Sequence, residues 1–102
     1  MPRALSAATA LVLDALARGA RHGFDILDTT GLPSGTVYPI LRRLEHDRLA
    51  TSRWESARDA QAEQRPPRRY YTLTRDGQAL VEEARARFPV LSGTALARAR
   101  RA

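Results

Sequence analysis

The first part of the chain has apolar residues at helical spacing. At 100° per residue, one apolar stripe contains Leu5, Ala8, Val12 and Leu16. It is flanked on either side by Leu11 and Leu13. This pattern predicts a helix over residues 4–18 that stops at Gly19. Because the apolar arc is wider than one neighbouring element needs, we expect this helix to contact both its own core and a second subunit.

A second helix of about two turns is predicted between His22 and Gly31. Its buried side is expected to consist of Phe24, Ile26 and Leu27. No second metal-ligating residue follows His22 at a useful spacing. This histidine is therefore interpreted as a residue of the helix start rather than as a ligand.

The third apolar pattern is the clearest in the chain. The i, i+3, i+4, i+7 spacing of an amphipathic helix is formed by Val37, Ile40, Leu41 and Leu44. Ser34 is expected to cap its N-terminus. Pro39 lies near the start, where it forfeits at most about one backbone hydrogen bond and is tolerated. The predicted outward face consists of Gly35, Pro39, Arg42 and His46, bordered by Thr36, Arg43 and Tyr38.

Two segments rich in β-forming residues follow, at residues 50–55 and 69–74. They predict a hairpin with a long, polar, proline-containing loop over residues 56–67. Tyr70 and Tyr71 alternate along the second strand, so one is expected in the core and the other exposed. Trp54 is interpreted as a packing residue, with stacking in an effector pocket as the alternative.

A last helix is predicted to begin at the string Thr74-Arg75-Asp76-Gly77. One 100° arc along this helix contains Leu80, Val81, Ala84, Phe88, Leu91 and Ala95. Pro89 falls on the opposite side of the arc. This position favours a kinked continuous helix over a stop, with two separate helices as the alternative.

The order of these elements is typical of a winged helix-turn-helix. In that architecture the third helix enters the DNA major groove and the hairpin forms a wing beside it. The predicted fold class is mainly α with a small β-hairpin and an additional C-terminal dimerisation helix. The 102 residues form one structural domain, with a DNA-binding part at residues 1–75 and a dimerisation helix and basic tail at residues 76–102.

Charge narrows the choice of partner. The net charge of +6 comes from seventeen basic residues, all arginine, against eleven acidic ones. Residues 1–51 contribute +1 and residues 52–102 contribute +5, so the excess is local. Such a concentration of positive charge favours a polyanion, and here double-stranded DNA, as the partner.

Several classes of function find no support in the sequence. The absence of cysteine excludes disulfides and thiolate metal sites, and neither a metal nor a cofactor is predicted. No catalytic motif such as a Gly-rich phosphate loop or G-x-S-x-G occurs, so an enzyme is not expected. No apolar run reaches the roughly 18 residues of a membrane span and no secretory signal is present, which predicts a cytoplasmic protein without a membrane partner.

The third helix carries the first set of candidate DNA contacts. Its N-terminus offers N–H donors and a positive dipole end to a phosphate. Near that end lie Ser34, Thr36, Tyr38 and Pro39. Arg42 and Arg43 follow on the exposed side, where an arginine either pairs with guanine or contacts a phosphate.

The wing carries the second set. Arg65, Arg68 and Arg69 are expected to contact phosphates or the minor groove, and the adjacent Pro66 and Pro67 stiffen the loop. Arginine on both the third helix and the wing favours a sequence-specific regulator. A winged helix that binds RNA or another protein is the alternative, because the fold does not dictate the ligand.

The apolar faces of the first and last helices predict a homodimer. The candidate interface residues are Leu80, Ala84, Phe88 and Leu91 of the last helix, with Leu5, Leu11 and Val12 of the first. No later element is predicted to cover this stripe, and an exposed stripe of this kind is an aggregation liability. A two-fold axis would let each copy cover the other and would match a palindromic operator.

Three strings resemble the PadR family of winged-helix transcriptional regulators, in the family's order over roughly residues 10–80. They are Leu16-Ala17-Arg18-Gly19 leading into His22-Gly23-Phe24, then SGTVYPILRRLE from Ser34 to Glu45, and RRYYTLTRDG from Arg68 to Gly77. The resemblance implies a cytoplasmic dimer that represses promoters and releases DNA when a small-molecule effector binds. It also implies that the C-terminal helix forms the dimer interface with help from the first helix.

The chain departs from the family pattern at two places. Phe24 stands where the family commonly has tyrosine, so no role of that hydroxyl is carried over. The glycine that commonly precedes the Arg-Pro step of the wing is replaced by Gln64, which predicts a differently shaped wing tip. The last helix ends soon after the matching strings, as in short members that lack a separate C-terminal dimerisation domain.

Overall fold

A computed structural model of the chain describes residues 5–91 and shows a mostly helical fold with one hairpin. Its elements are α1 (Ala7–Ala17), α2 (Gly23–Thr30), α3 (Ser34–His46), β1 (Ala50–Trp54), α4 (Ala57–Ala62), β2 (Arg69–Leu73) and α5 (Arg75–Arg87), followed by a 3-10 turn at Pro89–Leu91. The winged-helix fold class predicted from the sequence is confirmed. Ala95 and the basic tail beyond it lie outside the described residues.

The helix α1 lies at the centre of the fold. Ser6 caps it by accepting a hydrogen bond from the Thr9 amide at 3.1 Å, so the helix starts three residues later than predicted. It packs against α2, α3, α5 and β2. The wide apolar arc is therefore covered to a large extent by elements of the same chain, and Val12 and Leu13 have no exposed surface.

The helices α2 and α3 follow the predicted periodicity with two exceptions. The stripe Val37, Ile40, Leu41 and Leu44 is buried as predicted. Phe24 was expected on the buried side of α2 but is 71% exposed, because it lies on the side of the helix opposite the buried Ile26. Ser34 is the first helical residue of α3 and not its cap, which is Pro33 without a capping side chain.

The hairpin pairs β1 and β2 antiparallel, in a register that sets Ala50 opposite Leu73 and Trp54 opposite Arg69. The long connection contains α4, which the sequence analysis interpreted as loop. Ser56 caps this helix, and its buried side is Ala60. The expected contrast between one core and one exposed tyrosine is wrong.

Tyr70 and Tyr71 are both half-buried. Tyr71 packs against the core, whereas Tyr70 lies beneath two arginines.

The helix α5 ends at Arg87, so the predicted kinked continuation through Pro89 is wrong. A proline disfavours the helical conformation of the residue before it, and Phe88 accordingly has ψ 78°. The chain then forms the separate 3-10 turn. The alternative interpretation, two separate helices, is closer to the structure, and the second of them is this short 3-10 turn.

A buried carboxylate holds the C-terminal turn against α1. Asp14, 4% exposed, accepts hydrogen bonds from Arg18 at 2.7 Å and from Arg85 at 3.0 Å. Arg18 also donates to the Leu91 carbonyl oxygen at 2.7 Å. Two arginines therefore neutralise one buried charge, which would be costly if left unpaired.

Most of the predicted dimer stripe lies inside the protomer. The buried members are Leu5, Val12, Leu80, Ala84 and Leu91. The argument that this stripe has no cover is wrong for these five, because α1 and α5 pack against each other. Leu11 and Phe88 are half-buried, and Val90 in the 3-10 turn after α5 is 54% exposed.

No helix within residues 5–91 is long and apolar enough to span a lipid bilayer.

The packing of α5 can be tested by a substitution at Gly77, near the start of that helix. A Cβ atom at Gly77 would collide with the carbonyl oxygen of Leu49. Alanine normally stabilises a helix relative to glycine, by about 1 kcal/mol, but a clash with backbone outweighs this gain. We expect Gly77→Ala to lower the free energy of unfolding by about 1 to 3 kcal/mol, measured by urea denaturation.

Gly35→Ala is the matched control, because a Cβ atom there meets nothing within 4 Å. This variant should be as stable as the parent or more stable by up to about 1 kcal/mol. Equal stability of the two alanine variants would show that α5 does not depend on this close approach.

Candidate nucleic-acid interface

The predicted outward face of α3 is exposed. Gly35, Arg42, Arg43 and His46 are all solvent-accessible, and the apolar stripe on the other side of the helix fixes this orientation. Arg42 lies in a groove beside the wing residues Arg69 and Tyr71. Arg43 lies on the other flank of α3, near α1. Within the described part of the chain neither Arg42 nor Arg43 has an ion pair or a side-chain hydrogen bond, so both guanidinium groups are available to a ligand.

The N-terminal turn of α3 presents the predicted hydroxyl groups unequally. Ser34 is exposed, Thr36 is half-buried, and Pro39 is half-buried one turn later. Tyr38 is 37% exposed and lies across Gly23 of α2, where a Cβ atom would collide with the phenol ring. The tyrosine therefore packs between two helices and still keeps part of its surface exposed.

The base of the wing is organised by Glu55. Arg65 donates to both carboxylate oxygens, with Nη2 at 2.9 Å from Oε2. The Arg68 amide and the Tyr70 hydroxyl also donate, at 3.2 and 3.3 Å. The hydrogen bonds from Arg65 lower the pKa of the Glu55 carboxyl from 4.5 to about 2, although burial opposes the shift.

Arg69 is also used inside the protein. Its Nε donates to Ser52 at 2.9 Å and its Nη2 to Glu45 of α3 at 3.1 Å. Its guanidinium group lies over the Trp54 ring, with Cζ at 5.3 Å from the ring centroid. This arginine therefore connects the wing to α3.

The three predicted wing arginines thus differ in what they can do. Arg65 and Arg69 neutralise carboxylates of the same chain, so their guanidinium groups are less available to a phosphate than that of Arg68. Arg68 alone among the three has no side-chain hydrogen bond or ion pair with residues 5–91. The structure brings it to the same face as Tyr38, because both line one cleft between α3 and the wing.

Sequence reasoning missed two further arginines on this part of the surface. Arg21 and Arg53 are exposed and lie over Tyr70, with Cζ at 5.2 and 5.5 Å from the ring centroid. The alternation of side chains along the predicted strand could have placed Arg53 on an exposed face. Arg21 precedes α2, and its place beside the wing depends on a contact between its carbonyl oxygen and the Tyr71 amide.

His22 occupies the N-cap position of α2, as the sequence predicted, and is 8% exposed. Its Nε2 lies 3.2 Å from the Asp25 carboxylate, and its ring packs edge-on against Tyr70. Burial lowers the pKa of its imidazole. Within residues 5–91 no cluster of His, Cys, Asp or Glu is placed to hold a metal ion.

Trp54 was expected to pack beside the core, but it is 63% exposed. Together with the exposed Phe24 it lines the cleft between α2, α3 and the wing. Hydrophobicity alone could not indicate this, because it gives the preference of a residue for burial and not whether the fold covers it.

A winged helix with free arginines on its third helix and wing is the arrangement of a DNA-binding regulator, and the comparisons with known proteins agree. Residues 12–83 match the transcriptional regulator PadR-like family. The chain belongs to this family and is a transcriptional regulator of the PadR type. No curated protein matches it.

Solved structures show the same fold. A PadR-like transcription factor from Bacteroides fragilis is 30% identical, with a TM-score of 0.64 and 84% of each chain covered. BpsR from Bordetella bronchiseptica, whose DNA binding is regulated by 6-hydroxynicotinic acid, is 27% identical, with a TM-score of 0.69 over 93% of this chain and 68% of that one. A PadR family regulator from Clostridium difficile R20291 is 21% identical and shares the fold, with a TM-score of 0.70 over 87% of this chain and 94% of that one.

The Glu55 cluster predicts a specific dependence of stability on pH. A carboxyl whose pKa falls on folding stabilises the folded state above its ordinary pKa of 4.5, and this contribution is lost as the pH falls towards 2. We expect Glu55→Gln to lower the free energy of unfolding at pH 7. The difference between parent and variant should shrink between pH 4.5 and pH 2, as followed by urea denaturation with circular dichroism.

Glu63→Gln is the control, because Glu63 is exposed and has no ion pair with the described residues. It should leave the pH profile of the parent unchanged. A profile of Glu55→Gln that runs parallel to that of the parent at all pH values would show that the cluster does not hold the wing.

Proposed function

We propose that the protein binds a palindromic operator in double-stranded DNA as a homodimer and represses the adjacent promoter. The observation that carries this proposal is the exposure of Arg42 and Arg43 on α3 without any partner inside the described chain. An arginine that is not neutralised internally keeps its full charge and its five N–H donors for an external acceptor. The wing adds Arg68, which is half-buried and whose side chain also has no hydrogen bond or ion pair with the described residues.

We propose that α3 and the wing make different contacts with DNA. Arg42 lies in the groove between α3 and the wing, where a bidentate pair with guanine would read sequence. Arg68 on the wing is proposed to contact phosphate, which positions the protein without reading a base. Arg65 and Arg69 support these contacts indirectly, because they hold the wing in shape and against α3.

Dimerisation is proposed because one winged helix reads only a few base pairs, too few to discriminate against the competing sites of a genome. Two copies related by a two-fold axis would set their α3 helices about 34 to 36 Å apart, one turn of B-DNA. The proposed contact surface is the part of the α1–α5 face left uncovered in one protomer. It contains Leu11, Phe88 and the exposed Val90.

A small-molecule effector that releases the DNA is also proposed. The similarity to BpsR supports this, since the DNA binding of that protein is regulated by 6-hydroxynicotinic acid.

DNA recognition is tested by fluorescence anisotropy with the upstream DNA of the gene and with random DNA, at several salt concentrations. If Arg42 reads a base, Arg42→Ala should cost about 1 to 3 kcal/mol on the operator and relax specificity at one position. If Arg68 contacts a phosphate, Arg68→Ala should weaken all sequences alike. It should also flatten the slope of log affinity against log salt by about 0.9.

The matched control is Arg75→Ala, which removes the same charge from an exposed arginine on α5, outside α3 and the wing. It should bind both DNAs nearly as the parent does. Equal losses in all three variants would indicate nonspecific charge attraction. A parent protein that prefers RNA, or that binds no DNA, would contradict the proposal.

The dimer is tested by sedimentation at micromolar concentration, where the parent should have twice the chain mass of 11.3 kDa. Val90→Arg and Phe88→Arg should each produce monomers and lower operator affinity by at least about tenfold, because one half-site contact is lost. Val90→Ala keeps an apolar side chain and should remain dimeric. A monomeric parent would refute the dimer.

A further inference from the structure

The groove between α3 and the wing is lined by three charged side chains. Arg42 and Glu45 lie on α3, and Arg69 lies on β2. Glu45 and Arg69 pair with each other, whereas Arg42 has no ion pair or side-chain hydrogen bond with residues 5–91. The groove thus contains one carboxylate and two guanidinium groups, and the carboxylate pairs with only one of them.

The spacing along α3 makes Glu45 a natural partner for Arg42. The helix α3 contains a single acidic residue, Glu45, which stands three positions after Arg42. Side chains at i and i+3 of a helix are neighbours, and opposite charges at this spacing attract each other. Arg43 is two positions from Glu45 and therefore faces another side of the helix. The sequence of α3 taken alone would thus favour an ion pair between Arg42 and Glu45.

In the structure the carboxylate of Glu45 is occupied by the wing instead. Its Oε2 accepts hydrogen bonds from Ser52 at 2.8 Å and from Arg69 Nη2 at 3.1 Å, and its Oε1 lies 3.4 Å from the same nitrogen. Ser52 in turn accepts a hydrogen bond from Arg69 Nε at 2.9 Å. Both oxygen atoms of Glu45 therefore face donors of the hairpin.

Arg69 competes well for this carboxylate because its side chain is already ordered. Its guanidinium group lies over the Trp54 ring, with Cζ at 5.3 Å from the ring centroid, and it also bonds Ser52. A side chain that is held in place loses less entropy when it pairs than one that is free. Arg42 is exposed, and an arginine that precedes its glutamate on a helix is in the less favourable order.

We propose that Arg69 is a positioning residue that keeps Arg42 available to DNA by sequestering Glu45. It occupies the carboxylate that stands next to Arg42 on the helix. It also neutralises a negative charge that would repel phosphates and the acceptor atoms of guanine. The inference rests on the proposed role of Arg42 as a base contact, and it gives Arg69 a role in recognition without a contact to DNA.

A double-variant cycle tests the proposal, by anisotropy titration with upstream and random DNA. Arg69→Met removes the charge, and it should weaken the binding of upstream DNA at least about threefold because Glu45 then pairs with Arg42. Glu45→Gln should bind both DNAs more tightly than the parent, because a negative charge is removed from the groove. The double variant Arg69→Met/Glu45→Gln has the net charge of the parent and should recover the affinity lost in Arg69→Met.

This recovery separates the proposal from two other roles of Arg69. If Arg69 served only to hold the wing against α3, the double variant would stay as weak as Arg69→Met, because both lack the arginine. If Arg69 contacted a phosphate, both would lose about 0.9 from the slope of log affinity against log salt. Either result would overturn the proposal. Circular dichroism and unfolding midpoints check the folding of each variant, and Arg69→Gln repeats the cycle with a polar, uncharged side chain.

A second cycle shows whether the effect depends on Arg42. In an Arg42→Ala background, Arg69→Met should cause no further loss of the preference for upstream over random DNA. Fully additive losses would show that the two arginines act independently, which would contradict the proposal. Arg75→Met is the matched control, because it removes the charge of an exposed arginine on α5 and should bind both DNAs nearly as the parent does.

A measurement without DNA separates this inference from the proposed function. In NMR spectra of the isotope-labelled protein, the Nε–H signal of Arg42 should shift in Arg69→Met and return in the double variant. This pattern in a protein that binds no DNA would support the sequestration of Glu45 and refute the DNA proposal. DNA binding by the parent, together with an Arg42 signal that is the same in all variants, would overturn the sequestration.

Discussion

The burial of the α3 stripe beneath α1 is the constraint on which the rest of the surface depends. Val37 and Leu41 have no exposed surface, so α3 cannot rotate about its axis without moving apolar side chains into water. That fixed rotation sets Arg42 and Arg43 outward. The wing follows from the same constraint, because β1 begins four residues after α3 ends.

Ion pairs within the chain determine which arginine side chains remain available to an external ligand. The net charge of +6 counts every arginine equally, but Arg65, Arg69 and Arg85 neutralise carboxylates of their own chain. The arginines of α3 and Arg68 have no such partners among residues 5–91. Arg42 and Arg68 lie where α3 meets the wing, so this part of the described surface keeps positive charge that no carboxylate of residues 5–91 neutralises.

The sequence predicted those features that depend on local periodicity. The apolar residues of the buried α3 stripe recur at helical spacing. The order of helices and strands follows from such periodic segments along the chain. The sequence could not predict the pairing of Arg65 with Glu55, because the two lie ten positions apart in the chain and the short helix α4 lies between them. Phe24 and Trp54 were misassigned for a related reason: hydrophobicity indicates that a residue prefers burial, whereas its environment decides whether burial is provided.

The end of α5 shows another limit. A helical stripe that continues past Pro89 is compatible with a kinked helix and also with a stop. The backbone preference of Phe88 before proline, together with the contact between Arg18 and the Leu91 carbonyl, decides in favour of a separate turn. One of these factors is local and the other comes from a helix 73 residues away in sequence.

The contact between Tyr38 and Gly23 has a consequence for how this protein can evolve. A side chain at Gly23 would collide with the phenol group of Tyr38 in its present position, so a substitution at one position affects the other. A side chain at position 23 requires Tyr38 to shift or to be replaced by a smaller residue, and either change alters the surface proposed to face DNA. If α3 binds the operator as proposed, selection for a new operator sequence that acts on position 38 would also act on position 23 of α2, the helix that precedes α3.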